Sequence, residues 1–386
     1  MQSLGNIEVA GVVGLTMFSW TTGDVLYLTG EATNYVGAPA QDIMPRQNAI
    51  TTVRVTGFRF VRDALPFGQA PGTEPERSVY SPPIRKLREE ISDTTTFITD
   101  TVARLTNIQL HSDTIATMEF ELIGDAANGL SIVPGQAVVL DFTKVLGSVR
   151  YQHMAEHTPV SVNDDRIRTW TISSSHEPGS RARIFKITMR EKPNGAVTGA
   201  IFRLARKLRE TQSTPTLDTH SFKIDVGVAG VSGDFVLPSK EEPLKVLWVA
   251  GGIGATPFIA FIGALARRHD ADVDAVFALS TREPEVLVPL IREALGDGPL
   301  PPGLRLQFDI FTHEQGPSVK LLQGLSEQIK VKVTKSRITD TYWDDNDVAQ
   351  REVWVCGPAP FEGWVTKSLE KCGLKLVDIH REDFQY

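Results

Sequence analysis

The stretch at residues 246–257, Val-Leu-Trp-Val-Ala-Gly-Gly-Ile-Gly-Ala-Thr-Pro, most restricts what this chain can fold into. An apolar run typical of a buried strand stops at closely spaced glycines, and Thr256-Pro257 begins an apolar segment of helical length. Threonine is a good helix N-cap, and proline is tolerated in the first helical turn. Glycines let a backbone approach a ligand closely, and a helix N-terminus offers free N–H groups to an anion. The stretch predicts a strand–turn–helix unit that can hold a phosphate. Because it is not the Gly-x-Gly-x-x-Gly fingerprint, a purely structural glycine turn stays open.

A second stretch, Val353-Trp354-Val355-Cys356-Gly357-Pro358, repeats this organisation far down the chain. Strands are predicted at 245–250, 273–280, 304–312, 351–356 and 374–380, and helices at 256–268, 284–295, 317–329 and 360–372. Such alternation predicts a parallel sheet with helices on both faces, in which ligands bind beyond the carboxyl ends of the strands. Four short segments lie at such ends, where one nucleotide could contact them all: Gly251–Gly254, Ser280–Arg282, Thr312-His313 and Cys356–Pro358.

Upstream of both stretches lies a third, Arg168-Thr169-Trp170-Thr171-Ile172-Ser173-Ser174. Each stretch is a weak signal alone, but the ordered set resembles the ferredoxin–NADP reductase family of flavoproteins over roughly residues 101–386. In that family the three elements read Arg-x-Tyr-Ser, Gly-Gly-x-Gly-x-Thr-Pro and Cys-Gly-Pro. The resemblance implies an α+β barrel followed by an α/β fold: an antiparallel FAD-binding barrel, then a parallel, doubly wound NAD(P)-binding sheet.

The chain is expected to divide into four parts. These are a partial β segment at 1–66, a Pro/Gly-rich linker at 67–100, the FAD-binding barrel at 101–238 and the NAD(P)-binding domain at 239–386. In the first part, β segments are predicted at Ile7–Phe18, Val25–Thr33 and Thr51–Val61, with a hairpin turn at 21–24. They are similar to the later strands of a flavin-binding split barrel of the pyridoxamine-phosphate-oxidase type. Two interpretations stay open: the tail of a larger FMN-binding module whose first strands are missing, or a small β extension without a ligand.

In the barrel, Arg168 is the expected partner of the flavin pyrophosphate, because a guanidinium makes bidentate, charge-assisted bonds to phosphate. The resemblance puts the Thr171 hydroxyl at N5 of the isoalloxazine, and Trp170 replaces the usual tyrosine. A helix beginning near Gly195 is expected to direct its first amides at the diphosphate, and Phe384 to cover the flavin. The residues assigned to FAD are Arg168, Trp170, Thr171, Ile172, Ser173, Gly195, Ala196, Val197, Thr198 and Phe384. An ordinary N-cap role for Thr198 is compatible with this, and a frayed tail is the alternative at the C-terminus.

The resemblance also implies a set of coenzyme contacts, from the second and third motifs of the family and the segment between them. They are Gly251, Gly252, Gly254, Thr256, Pro257, Ser280, Arg282, Cys356, Gly357 and Pro358. Cys356 is expected to position the nicotinamide, and the residues assigned to catalysis are Thr171, Cys356 and Glu382. NADPH-using relatives carry a Ser-Arg pair where this chain has Thr312-His313, and a neutral histidine mildly favours NADH. Arg282 could still supply the charge that a 2′-phosphate needs.

Composition argues against several other functions. The net charge of −7 argues against nucleic acid, and no basic run suggests an anionic membrane surface. Glycine and proline interrupt apolar stretches such as 246–266, which argues against a transmembrane helix. The chain has only two cysteines, Cys356 and Cys372, so the four thiolates of a plant-type iron–sulfur cluster are lacking and no metal site is predicted. A reducing, cytoplasmic compartment is the simplest expectation.

These expectations combine into a predicted oxidoreductase that transfers hydride from NAD(P)H to bound FAD. The electrons then pass to an acceptor that the sequence does not identify, either a separate protein or a missing N-terminal FMN domain. Two alternatives stay open. One is a stand-alone NAD(P)H oxidase or flavin or quinone reductase, and the other is a non-catalytic regulatory module that retains the fold.

Overall fold

The computed structural model describes residues 2–45, 47–70, 86–90, 96–97, 101–124, 129–147, 164–177, 179–238, 243–268, 272–313 and 320–382. It separates into two compact units. The first contains Met1–Asp93 and Tyr151–Asn163, and the second contains Thr94–Arg150 and Asp164–Tyr386. Of the predicted linker, residues 67–70, 86–90 and 96–97 are described, with a short 3₁₀ turn at Arg88–Glu90.

The first unit contains a three-stranded antiparallel sheet in the order β1–β2–β3. Its elements are α1 (Gln2–Ala10), β1 (Val12–Phe18), β2 (Val25–Val36), α2 (Ala38–Ile43) and β3 (Ala49–Val61). The prediction of a strand beginning at Ile7 is wrong, because residues 2–10 form a helix. Gly11 ends that helix with a positive φ of 65° and donates its N–H to the Ile7 carbonyl. The predicted turn at 21–24 is confirmed between β1 and β2.

One face of this sheet is almost entirely apolar. Cross-strand register places Leu15, Leu28 and Phe58 side by side, and the next row on that face contains Met17, Leu26 and Phe60. Phe58 is 74% exposed and Phe60 is 52% exposed.

The second unit begins with a barrel of antiparallel strands around one hydrophobic core. The strands are β4 (Thr96–Phe97), β5 (Val102–Leu110), β6 (Ile115–Ile123), β7 (Leu130–Ser131), β8 (Ala137–Asp141), β9 (Ile167–Thr171), β10 (Arg181–Ala182), β11 (Ile184–Arg190), β12 (Thr216–Asp218) and β13 (Asp225–Ser232). The helices are α3 (Thr143–Leu146) and α4 (Ala196–Thr211). The main sheet runs β11–β6–β5–β13–β8–β9. A bridge between Ile172 and Ile187 joins its last strand to its first, which closes the barrel.

A parallel sheet with helices on both faces follows the barrel. The strands are β14 (Leu244–Gly251), β15 (Val273–Ser280), β16 (Leu304–Phe311), β17 (Ile329–Thr334), β18 (Glu352–Cys356) and β19 (Ile379–Arg381). The helices are α5 (Thr256–Leu265), α6 (Pro284–Leu295), α7 (Thr341–Asp344) and α8 (Ala359–Lys371). Side chains of α5 and α6 pack in one core cluster, and those of α7 and α8 pack in another on the opposite face. The predicted fold class, an antiparallel barrel followed by a parallel doubly wound sheet, is confirmed.

Two predicted elements of this sheet are wrong. In place of a helix at 317–329, residues 320–328 form turns and Ile329–Thr334 forms the edge strand β17; residues 314–319 lie outside the described part. The sequence of β17, Ile-Lys-Val-Lys-Val-Thr, alternates apolar and lysine side chains, as edge strands often do. The strand predicted at 374–380 is limited to Ile379–Arg381, after a 3₁₀ turn at Leu376–Asp378.

Candidate functional site

Two glycine-containing turns flank the point where the parallel sheet reverses its direction of growth. The chain runs outward from β14 through β15 and β16 to β17, and then returns to β18 on the other side of β14. In open α/β sheets, ligands bind outside the carboxyl ends of the strands at such a switch point. Gly251–Gly254 follows β14 and Cys356–Pro358 follows β18, so the two sequence motifs meet where a nucleotide is expected.

The glycines of these turns have different surroundings. A Cβ on Gly254 would lie 2.3 Å from the Cys356 carbonyl oxygen, and one on Gly251 would lie 2.7 Å from the Phe361 ring. Glycine is therefore needed at positions 251 and 254, because a side chain at either position would prevent this close packing. Gly252 has a positive φ of 55°, and a Cβ there would meet no atom within 4 Å. Of these three glycines, Gly252 has the backbone with room for a ligand.

Helix α5 begins differently from the prediction. Residues Gly252–Ala255 form a 3₁₀ turn, and Ala255, not Thr256, stands at the N-cap position without a side-chain cap. Thr256 and Pro257 are buried in the first turn of a helix whose residues are all buried. Their side chains therefore pack in the core. The groups of this turn that can bind an anion are the uncapped backbone amides of the helix.

The ends of β15 and β16 carry the remaining predicted coenzyme contacts. Ser280 is half-buried, and Arg282 is exposed. Between them, the Thr281 hydroxyl accepts a hydrogen bond from the Glu283 N–H at 2.9 Å, which fixes the turn. Thr312 is buried, with its N–H donated to the Thr334 carbonyl, and His313 is exposed. Arg282 and His313 are thus exposed cationic or titratable side chains at the carboxyl edge of the sheet.

Cys356 and Glu382 lie together at the end of β18. Cys356 is fully buried, and burial, together with the nearby carboxylates of Glu382 and Glu362, raises the pKa of its thiol well above the usual value. The thiol is therefore protonated at neutral pH and is a poor nucleophile. The Glu362 carboxylate also accepts the Gly357 N–H at 2.9 Å. Phe384 lies outside the described residues.

In the barrel, the Arg168 guanidinium has partners within the protein. It donates to Asp164 Oδ2 at 2.8 Å and to the Ile167 carbonyl at 2.8 Å. Arg166 donates to the same carboxylate oxygen at 3.1 Å. Burial opposes ionisation of Asp164, but hydrogen bonds from Arg168 and from the Arg166 amide hold its pKa below the usual range. Asp164, which was not predicted from the sequence, thus orients Arg168, the residue expected to bind the phosphate. The only sequence signal was a pair of aspartates just before Arg166.

Thr171 is buried, and its hydroxyl has no hydrogen-bond partner in the described structure. Buried hydroxyls are usually hydrogen-bonded, so an unsatisfied one in a native structure calls for an explanation, and a ligand atom would supply the missing bond. The neighbouring Trp170 is half-buried and contacts Phe142 edge-to-face, with ring centroids 5.8 Å apart. Both observations fit a bound aromatic cofactor with a hydrogen-bonding edge.

The next two residues of this motif have structural roles. The Ile172 side chain lies in the barrel core, and its N–H is donated to the Gln136 carbonyl. The Ser173 hydroxyl is hydrogen-bonded to Thr188 at 2.9 Å. Side chains of these two residues therefore hold the strand in place.

Helix α4 begins as predicted. Gly195 is its N-cap, and no side chain caps its first amides. A Cβ on Gly195 would lie 2.5 Å from the Thr198 hydroxyl oxygen, which itself accepts the Lys192 N–H at 3.2 Å. Val197 is buried in the barrel core, and Ala196 is half-buried. The helix start thus presents backbone amides, while the side chains of Val197 and Thr198 shape the turn.

The described residues contain neither a metal-binding cluster nor a membrane-spanning helix. Within the ranges that the structure describes, no group of three or more His, Cys, Asp or Glu side chains could hold a metal ion. Nor does any helix in this part of the chain combine the length and apolar character needed to cross a membrane.

Comparison with known proteins found similarity to a reductase subunit and to a flavohemoprotein. No protein-family model matches the chain. It is 27% identical over 221 residues to the glycine betaine monooxygenase reductase subunit of Pseudomonas aeruginosa, covering 56% of this chain and 51% of that protein. It is 21% identical over 212 residues to flavohemoprotein B of Dictyostelium discoideum, covering 53% of this chain and 46% of that protein. The chain thus spans about half the length of the curated relatives it matches.

Among solved structures, one match is the FAD/NAD-binding domain of a nitric oxide dioxygenase from Vibrio cholerae. It is 16% identical, covers 73% of this chain and 98% of that chain, and has a TM-score of 0.45. The split-barrel resemblance of residues 1–66 stays a prediction. The three ordered motifs, the barrel followed by a parallel sheet and the curated relatives together show that this chain is similar to the ferredoxin–NADP reductase-like FAD/NAD-binding proteins.

Proposed function

We propose that this chain is an NAD(P)H-dependent flavin oxidoreductase that binds FAD in its barrel and passes electrons to a protein or a fused domain. The observation that carries the proposal is the meeting of the Gly251–Gly254 and Cys356–Pro358 turns at the switch point of the parallel sheet. A sheet of this kind binds nucleotides at that position. The curated relatives, a monooxygenase reductase subunit and a flavohemoprotein, support a redox function.

The residues of the barrel fit FAD. The buried, unpartnered hydroxyl of Thr171 and the half-buried ring of Trp170 suit the isoalloxazine. The uncapped start of α4 at Gly195 and the guanidinium of Arg168 suit the diphosphate. When bound, FAD supplies the chemistry that accepts a hydride from nicotinamide and releases electrons to the next carrier.

On the coenzyme side, each residue acts by position or by charge. Gly252 leaves room for a ligand at the first turn, and the protonated Cys356 thiol excludes water beside the expected nicotinamide position without acting as a nucleophile. Glu382, buried next to Cys356, is a candidate to hold or move a proton there. The exposed His313 favours NADH over NADPH, although Arg282 could bind a 2′-phosphate.

The acceptor is proposed by class only. Its candidates are a separate protein and an FMN-binding module to which residues 1–66 would belong. Cys356 and Cys372 are both free thiols, which fits a cytoplasmic location and a chain without its own iron–sulfur cluster.

The test is to purify the protein and measure bound flavin by its visible absorbance and by its identity after release. FAD that is bleached by NADH under nitrogen is the expected result, and a colourless protein that binds no added FAD would contradict the proposal and favour a regulatory module. Reoxidation by cytochrome c and ferricyanide, with slow reaction with oxygen, is expected for a reductase. Fast reoxidation by oxygen or quinones would instead identify a stand-alone oxidase or quinone reductase.

A further inference from the structure

Charged side chains connect one face of the barrel to helix α6 of the parallel sheet. On β11, Phe185, Ile187 and Met189 point into the barrel core, so Lys186 and Arg190 point to the opposite face. There, the Arg190 guanidinium forms an ion pair with Glu283, which stands at the N-cap of α6.

Two contacts fix this pair on the barrel side. Arg190 Nη1 donates to the Thr114 hydroxyl at 3.0 Å, and the Ser112 hydroxyl lies 3.5 Å from Glu283 Oε1. Together with the ion pair they hold the Glu283 carboxylate against the start of β6. The pair is only partly exposed, with 38% of the Arg190 side chain and 29% of the Glu283 side chain accessible.

A second ion pair lies at the other end of α6. Lys186 Nζ is 3.4 Å from Glu293 Oε1 and 4.0 Å from Glu119 Oε2. Since an α-helix rises 1.5 Å per residue, Glu293 is about 15 Å from Glu283 along the axis. Each pair joins a cation on the barrel to a carboxylate on or next to α6. Only the Arg190–Glu283 pair lies next to the predicted coenzyme segment.

Glu283 immediately follows that segment, Ser280–Arg282. Its N–H is donated to the Thr281 hydroxyl, and the Thr281 N–H is donated to the Phe311 carbonyl at 2.9 Å. Ser280 is the last residue of β15 and pairs with Gly251 of β14 and Phe311 of β16, so the sheet holds it in place. The two residues that follow, Thr281 and Arg282, are tied to β16 by this one hydrogen bond and to the barrel by the Glu283 side chain. Movement of Glu283 relative to the barrel would therefore move Thr281 and Arg282 with it.

We propose that Arg190 and Glu283 are positioning residues that fix the coenzyme-binding turn Ser280–Arg282 relative to the flavin-binding barrel. This inference rests on the proposed function. Neither side chain contacts the reacting atoms. Their effect on hydride transfer comes from alignment, and displacement by about 1 Å can slow a reaction on the order of 100-fold.

The experiment compares Arg190→Gln with Lys186→Gln, which removes the equivalent cation at the far end of α6. Under nitrogen, we expect Arg190→Gln to slow flavin reduction at saturating NADH by about tenfold with unchanged FAD content. Lys186→Gln should slow it less than twofold, and Arg190→Lys, which keeps the charge, should recover most of the rate. Because both partners act through one contact, Glu283→Gln and the double variant Arg190→Gln/Glu283→Gln should be no slower than Arg190→Gln alone.

A second measurement needs neither flavin nor coenzyme. Hydrogen exchange of the segment 280–287 should be about tenfold faster in Arg190→Gln than in wild type, and unchanged in Lys186→Gln. Equal effects of the two variants, additive slowing in the double variant, or loss of FAD that accounts for the slower rate would overturn the inference. If wild-type flavin is not reduced by NAD(P)H, the proposed function fails, and the exchange result still decides whether the pair holds the turn.

Discussion

The guanidinium groups of Arg168 and Arg166 both form ion pairs with the Asp164 carboxylate. A flavin diphosphate would therefore bind beside the Arg168–Asp164 pair or displace Asp164 from it. Arg168 is 30% exposed and the Asp164 side chain only 11% exposed, which makes the arginine the accessible partner. Such an arrangement pre-orients a guanidinium for phosphate, because its rotamer is fixed before the ligand binds.

Replacing Arg168 by alanine should weaken FAD binding by about 2 kcal/mol, the typical loss of a charge-assisted hydrogen bond. Titration of flavin-free protein with FAD, followed by fluorescence quenching, measures this directly. Arg166→Ala is the matched control because Arg166 binds the same carboxylate and is not assigned to phosphate. An equal loss in both variants would mean that Asp164 was disturbed, and would remove Arg168 from the diphosphate site.

Removal of the Thr171 hydroxyl should affect flavin reduction without lowering stability. Because it is buried without a hydrogen-bond partner, Thr171→Val should leave the free energy of unfolding of the flavin-free protein unchanged or slightly higher. If the hydroxyl donates to the flavin, the same variant should slow flavin reduction by about 100-fold, as loss of a preorganised donor does elsewhere. Thr171→Ser, which keeps the hydroxyl, should stay near the wild-type rate. The result is read by urea unfolding and stopped-flow absorbance; a wild-type rate in Thr171→Val would rule out the N5 contact.

At the scale of elements, the helices and strands that could be predicted are those with a clear hydrophobic pattern in their own sequence. Helix α4 and strands β14, β15 and β18 were predicted to within a few residues, because each has a continuous apolar pattern and a clear terminal signal. Strand β17 was missed because it is a short edge strand whose lysines gave no continuous apolar run. The contact between Gly254 and Cys356 could not be predicted, since it joins turns that are far apart in sequence and depends on the packing of the folded sheet.

That contact leads to a prediction for the two glycine types. Gly254→Ala would place a Cβ 2.3 Å from the Cys356 carbonyl oxygen, so the backbone must shift, and stability should fall by about 1–3 kcal/mol. Gly252→Asn should leave stability near the wild-type value, because asparagine tolerates positive φ and the space around Gly252 is open. It should instead raise KM for the coenzyme, since a side chain would occupy the ligand space. Thermal unfolding and steady-state kinetics on both variants check this; a normal KM in Gly252→Asn would move the pyrophosphate away from this turn.

At the scale of the whole molecule, the order of barrel and parallel sheet followed from three motifs and their order along the chain. The N-terminal sheet was harder to interpret. Its three strands were predicted, although the first begins at Val12 and not at Ile7. Its function depends on what packs against the apolar rows that contain Phe58 and Phe60, since a three-stranded sheet usually needs such a layer. The divisions at 66, 100 and 238 therefore stay predictions, as does an FMN-type module.

Three histidines, the half-buried His111 and His176 and the exposed His380, should make the stability of the folded chain depend on pH. Burial is the largest cause that lowers the pKa of His111, His176 and His380. For His111, Lys186 adds to this effect and Glu293 opposes it. The unfolded chain has histidine pKa values of about 6.5, so below that pH it binds more protons than the native state does. The free energy of unfolding should therefore be constant above about pH 7.5 and should fall as the pH drops below about 6.5, by less than about 1.4 kcal/mol per pH unit per histidine.

Urea unfolding of the flavin-free protein between pH 7.5 and pH 5.5 measures this slope. His111 is hydrogen-bonded to the Thr117 hydroxyl at 2.7 Å, so His111→Gln keeps a polar partner while removing the titrating group. That variant should show a smaller loss of stability on acidification than wild type. A stability that rises as the pH falls through 6.5 would contradict the assignment, since it would require native histidines that bind protons more tightly than the unfolded chain does.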